Sequence, residues 1–485
     1  MIRQSQTITG IKIGDKEHRI IQYADDTTVC VSDFQSIREI VKIFDKFGTC
    51  SGLKLNYSKT KGIWLGNLKD FGMRVHTDIV FTGKPVKCLG IYIGHKTEKC
   101  EELNWSKKLE KIEKCIHQWK KCNLCLLGKI NVIKTYLMSK IVYTASVLET
   151  PTYVIRRLKN IVFNYIWGKR DRVKRSTITK KLCEGGLNMI DIDCYLDSLK
   201  VAWITRFVNN QGKWLDVLQY YLHQIDFTLD YLLKINVRSI QGFPILEVLP
   251  TFYQSVFLTF NKCKTVKSLS HMSESEICQQ PLWGNMHFRF GNTCIYLREW
   301  IKDGIMYIKD LINEYGIFRS EEEFFMIIDN KFDIVKQLFI IKQYVYKRLR
   351  GVNLDIAPYV KIKCASHILH ENKYFDITTC KSKDFYNMLV KRCQTKGHME
   401  SIFSREFGFQ GNCIWHNVYC QKINTLFIPK LAEFNYKMLQ NIVPCGYVLN
   451  KWQKNVKECC EYCGQIETTK HMIFECDRIA NVWDV

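Results

Sequence analysis

Hydrophobic positions alternate in short runs near the start of the chain and then settle into helical spacing. Ile20-Ile21-Gln22 and Thr27-Thr28-Val29-Cys30-Val31 read as two strands around the turn Tyr23-Ala24-Asp25-Asp26. Phe34, Ile37, Val41, Phe44 and Phe47 or Gly48 recur every three or four positions, predicting an amphipathic helix from Asp33 to Phe47. Gly48 is its expected stop. An apolar strand over residues 62–66 and a short strand pair around residues 87–94 come next. Trp105, Leu109, Ile112, Ile116 and Trp119 are spaced four, three, four and three, the stripe of one long helix. Leu126 to Ile130 opens another helix through Ile133, Leu137 and Ile141, with Lys129, Lys134 and Lys140 on its other faces. Farther on, residues 214–218 and 338–349 read as helices, and residues 230–410 indicate a helical class and little else.

Composition agrees with a globular chain: 46% hydrophobic and 25% charged residues can bury a sizeable core over 485 residues. Charge then narrows the choice of partner. Lys plus Arg number 71 against 48 Asp plus Glu, a formal net charge of +23. Such an excess favours an anionic polymer. Lys169, Arg170, Arg172, Lys174 and Arg175 concentrate it in one short segment, where phosphate neutralisation would release counterions with little sequence preference. A solvated loop is the competing reading of that segment. No basic amphipathic helix at either end recommends a membrane surface, and no uninterrupted apolar run of about 20 residues exists to span one. The 22 cysteines come without a signal peptide, so the expected setting is the reducing cytoplasm or nucleus.

Two groups of residues suggest metal chemistry. Asp25 and Asp26 sit side by side in a tight turn, and hard carboxylate oxygens suit Mg²⁺. Two such ions can stabilise the attacking and leaving oxygens of a phosphoryl displacement. Cys460-Glu461-Tyr462-Cys463, then His471 and Cys476, give C-x2-C-x7-H-x4-C. Four N and S ligands close a tetrahedral Zn²⁺ site, so its role is structural. The short helix carrying His471 is expected to begin near Thr468 or Thr469. Cys459 adjoins Cys460, so either thiol can be the first ligand. Cys122 and Cys125, Cys115 and His117, and the trio Cys413, His416 and Cys420 read as ordinary packing residues.

The order of these motifs resembles the later part of a reverse transcriptase palm, in the form found in non-LTR (LINE-type) retrotransposon polyproteins. Tyr23-Ala24-Asp25-Asp26 matches the metal-bearing hairpin. Ser51-Gly52-Leu53-Lys54-Leu55-Asn56 with Lys59-Thr60 is similar to the next palm motif, and Leu89-Gly90-Ile91-Tyr92-Ile93-Gly94 to the primer grip. The helices from Trp105 to Ile141 suit a thumb. Residues 163–168 and 184–189 look like the linker that follows it, and the C-terminal cysteines resemble the zinc-binding segment that ends many of these polyproteins.

This resemblance implies an RNA-directed DNA polymerase, with Asp25 and Asp26 as two of three Mg²⁺-binding carboxylates. Lys59 becomes a candidate general acid for departing pyrophosphate, against the reading of a solvated loop lysine. RNA template and DNA primer, or other nucleic acid, are the implied partners, with Lys129, Lys134 and the segment from Lys169 to Arg175 as contacts. The expected fold is α+β at the N-terminus (a partial palm over 1–100), then mainly α-helical: thumb and basic linker over 101–190, a helical region over 191–455, a zinc knuckle over 456–485. In the family, fingers and the strand bearing the third metal-binding Asp come first, whereas about two dozen residues precede the turn here. Asp15 lies in a Gly14-Asp15-Lys16 turn and is a poor substitute. A truncated, catalytically incomplete polymerase is therefore expected. The alternatives are a non-catalytic nucleic-acid-binding remnant and a zinc-dependent interaction module.

Overall fold

The computed structural model describes residues 1–68, 77–168, 170–210, 212–329, 333–393, 415–424, 428–453 and 455–483. Helices dominate, and the strands form two-stranded pairs. β1 (Ile11–Ile13) and β2 (Lys16–His18) make the first hairpin, β3 (Ile20–Tyr23) and β4 (Asp26–Val29) the second. After α1 (Phe34–Ser51), β5 (Lys61–Ile63) pairs in parallel with β6 (Val80–Thr82). β7 (Val86–Cys88) and β8 (Ile91–Ile93) close a third hairpin. Among the described residues these pairs do not join into one palm-like sheet. Side chains link two of them instead, with Thr28 Oγ1 on β4 lying 3.3 Å from Cys88 Sγ on β7.

The Asp33–Phe47 helix forms, with two corrections. Asp33 caps it, accepting from the Ser36 amide at 2.7 Å and the Ser36 hydroxyl at 2.8 Å. Its buried face runs through Ile37 and Ile40, with Ile43 and Phe44 half-buried, while Phe47 is exposed. Ile40 packs with Ile2, Ile8 and Ile20, so the hairpin and N-terminus select the face. The helix also runs past Gly48 to Gly52, which takes φ +72° and donates to the Gly48 carbonyl. Gly48 is needed for another reason. A Cβ there would lie 2.7 Å from the Leu53 carbonyl oxygen, where the chain turns back.

The tryptophan stripe lands as expected. α2 (Thr97–Trp119) buries Trp105, Leu109, Ile112 and Ile116. Asn104 on this helix holds β8, accepting from the Tyr92 amide at 2.7 Å and donating to the Tyr92 carbonyl at 2.9 Å. The following helix is not continuous. α3 (Leu126–Val132) passes through a π-type turn at Ile133–Leu137 into α4 (Ser139–Val147), and α5 (Thr152–Trp167) follows. The π turn keeps Ile133, Leu137 and Ile141 buried together by inserting one residue into the register.

Residues divide into two compact units that interleave along the chain. One holds 1–106, 147–149 and 197–388; the other holds 107–146, 150–196 and 389–485. The first is stabilised by aromatic burial the sequence pattern did not reveal. Trp283, Trp300, Phe243, Phe257 and Phe324 are completely buried. The Trp283 indole donates to the Ile305 carbonyl at 2.8 Å, and its amide donates to the Tyr231 hydroxyl at 2.9 Å. Residues 214–218 lie in the helix Trp214–Gln224, and the helix expected over 338–349 spans Ile334–Tyr344.

Candidate metal centre and nucleic-acid interface

The C-terminal cysteines form a knuckle because the backbone folds around the first of them. The Cys460 amide donates to Gln465 O at 2.7 Å, and the Gly464 amide donates to Cys460 O at 3.0 Å. Gly464 permits that reversal at φ +73°. Thr468 caps the next turn, accepting from the His471 amide at 3.0 Å. His471 opens a π-type turn over His471–Glu475, and Cys476 follows it just before α6 (Asp477–Trp483). The donor atoms of Cys460, Cys463, His471 and Cys476 all lie within 4.8 Å of one another.

Tetrahedral Zn–S bonds of about 2.3 Å separate two sulfurs by about 3.8 Å. Cys460 Sγ and Cys476 Sγ are 3.9 Å apart, and Cys463 Sγ is 3.1 Å from His471 Nε2. Cys460, His471 and Cys476 are buried, Cys463 half-buried. Cys459 instead is exposed and bridges to Ile466, which leaves Cys460 as the first donor. Amides of Cys463 and Tyr462 point at the Cys460 thiol and, with His471, lower its pKa to about 6. For Cys463 the Gln465 amide pulls downward, but burial and the Cys460 and Cys476 thiols outweigh it and raise the pKa. A thiolate-rich, closed donor set of this size fits a structural Zn²⁺.

Residues 381–483 match the family model described as zinc-binding in reverse transcriptase. A protein named Transposon TX1 uncharacterized 149 kDa protein, from Xenopus laevis, is 23% identical over 294 residues, covering 58% of this chain. The chain is thus similar, over these stretches, to a reverse transcriptase zinc-binding segment and to a transposon protein. It spans 22% of the length of that Xenopus relative.

Asp25 and Asp26 stand at the tip of the β3–β4 hairpin, both exposed. Tyr23 pairs with Asp26, and Ala24 takes φ +51° to close the two-residue turn. A non-glycine residue there is strained. Among the described residues no third metal-ligating side chain groups with the two carboxylates. Lys59 is exposed in a turn whose amide donates to Asn56 O at 3.1 Å.

The basic residues divide by environment. Arg170, Arg172, Lys174 and Arg175 are exposed, and Lys169 lies outside the described residues. Arg172 stacks over the Trp452 ring at 4.4 Å and Arg175 over Phe163 at 4.2 Å, with Arg175 Nε also 2.7 Å from Asp171. Lys129 and Lys134 differ from the outer faces expected of them: both are half-buried, and burial lowers both pKa values. Lys129 Nζ donates to the Ile166 carbonyl at 3.1 Å, at the C-terminus of α5. Periodicity along one helix could not reveal this, because α5 supplies the cover.

The remaining thiols are accounted for in part. Cys125 caps α3, its sulfur accepting from the Gly128 amide at 3.4 Å, and Cys122 is exposed. His416 is exposed, and Cys413 lies outside the described residues. No helix among the described residues is long and apolar enough to cross a membrane.

Proposed function

We propose that this chain is the nucleic-acid-holding part of an RNA-directed DNA polymerase of the non-LTR type. Residues 1–100 would be palm, 101–190 thumb and linker, and 456–485 a zinc-stabilised terminus. The observation that carries the reading is the exposed Asp25-Asp26 pair at a tight hairpin tip, in a chain related to these retrotransposon proteins. Asp25 and Asp26 would hold Mg²⁺, which when bound supplies charge neutralisation for the primer hydroxyl and the incoming triphosphate. Lys59, on its exposed turn, would pass a proton to the departing pyrophosphate. Arg170, Arg172, Lys174 and Arg175 present cations for phosphates, with aromatic rings beneath the guanidinium groups of Arg172 and Arg175.

With two carboxylates grouped at the tip, the chain alone should hold a primer–template without extending it. The test is binding and primer extension on an RNA template, with Mg²⁺ or Mn²⁺. Binding at low salt without extension is the expected outcome. Extension that disappears in Asp25→Ala and Asp26→Ala would show the metal site to be complete. Failure to bind any nucleic acid at low salt would overturn the reading.

A further inference from the structure

Within the unit built from 107–146, 150–196 and 389–485, a cavity of about 410 Å³ opens beside the end of α5. Four cations line it: Lys120, Lys129, Arg172 and Lys437. One carboxylate opposes them. Glu433 accepts from the Leu126 amide at 3.0 Å and pairs with Lys437 at 2.5 Å, so its charge is already engaged. An ammonium has three donors, and the Ile166 carbonyl takes one from Lys129. The Arg172 guanidinium lies 4.4 Å from the Trp452 ring centre, and the half-exposed Trp119 forms another part of the wall.

A second observation concerns two wall residues that are almost wholly buried. The Tyr165 hydroxyl and the Trp167 indole N–H have no hydrogen-bond partner among the described residues. Both atoms are shut off from solvent, so they sit in the packing behind the wall rather than facing the opening. The excess cations and the half-exposed Trp119 ring describe a pocket for an anion that also carries a planar part. Its volume lies in the range of small-ligand sites, roughly 300–1,000 Å³.

We propose that this cavity binds one nucleotide, its phosphate between Lys129, Arg172 and Lys437 and its base against Trp119. The inference rests on the nucleic-acid reading above and adds a defined subsite to it. The nucleotide can belong to a strand or be free, and the chemistry recognised is the same.

The test uses the full zinc-loaded chain, titrated calorimetrically with adenosine 5′-diphosphate, with adenosine, and with a single-stranded oligonucleotide. The diphosphate should bind once per chain, and adenosine at least about ten-fold more weakly, as expected for losing charge-assisted hydrogen bonds. Lys129→Met should weaken the diphosphate by about ten-fold or more, and Lys129→Arg should restore part of it. Because Lys129 also caps α5, Lys437→Met serves as the second variant and should act in the same direction. If the free diphosphate does not bind but both Met variants weaken the oligonucleotide about ten-fold, the occupant is a nucleotide within a strand. Equal binding of diphosphate and adenosine, or Met variants that match wild type with every ligand, would overturn the proposal. Charge reversal at Arg170 and Lys174 is the separate control. A steep salt slope lost in that variant, beside unresponsive Met variants, sinks the cavity and leaves the interface standing.

Discussion

Cys463 Sγ lies 3.1 Å from His471 Nε2, across eight residues of chain that make no helix until Thr468 caps one. This pairing, with Cys460 and Cys476 completing the donor set, has a direct consequence for metal content. One Zn²⁺ per chain is expected by elemental analysis. His471→Ala and Cys463→Ser should each lose it, whereas Cys459→Ser, Cys122→Ser and Cys125→Ser should keep it. Chelation should raise amide hydrogen exchange across 456–483 while the α1 and α2 amides stay protected, because such sites couple metal binding to local folding. Zinc content indifferent to Cys463→Ser would make these thiols ordinary packing residues.

The exposed cations predict salt-dependent binding with little preference for sequence. Each phosphate contact contributes roughly 0.7–0.9 to the slope of log K against log salt. Reversing Arg170 and Lys174 should flatten that slope by about one to two units and weaken unrelated sequences alike. Arg172→Ala should cost more than its charge alone, since its guanidinium is braced on Trp452. Fluorescence anisotropy over a salt series measures all three. A slope unchanged by the double reversal would assign these residues to a solvated surface.

Lys264 offers a pH-dependent stability. It is half-buried, donates to Ile235 O and Asn261 Oδ1 at 2.6 Å each, and burial pulls its pKa from 10.5 to about 7. Between those values the unfolded chain binds a proton that the folded chain does not. Stability therefore rises with pH from about 7 to about 10.5, by on the order of a few kcal/mol. Below about 7 both states are protonated and this contribution is flat. Lys264→Met removes the titration, so wild type should gain on the variant across that window in paired denaturant melts. Parallel pH profiles for the two proteins would refute it.

Asp33 caps α1, and removing the cap should cost about 1 kcal/mol, with a range of about 0.5–2. Burial raises its pKa, but the Ser36 amide and hydroxyl outweigh that and hold it below the usual carboxylate range. The stabilisation is thus present above the ordinary carboxylate pKa and disappears as pH falls through the lowered value. Hydrogen exchange of the first-turn amides in Asp33→Ala, at neutral and acidic pH, reads this out. Equal protection with wild type at neutral pH would show that the cap is dispensable.

What the sequence determined about this protein is local in origin. The Trp105-to-Ile116 stripe is buried as its spacing predicts, because helical periodicity is set within a few turns. The zinc donors converge because a Cys-x2-Cys turn and a capped helix place their ligands within one short segment. The Asp25-Asp26 hairpin has the same local character, two strands and a two-residue turn.

Tertiary structure decided the rest. Lys129 looked outward by periodicity and is half-buried, since α5 brings the Ile166 carbonyl to it. The α1 face moved toward Ile40 because Ile2, Ile8 and Ile20 come to meet it. Glu433 reaches the Leu126 amide from 307 positions away, a contact no window on the chain contains. Burial depends on which surface arrives from elsewhere, and that is set by the packing of distant segments rather than by the spacing within any one.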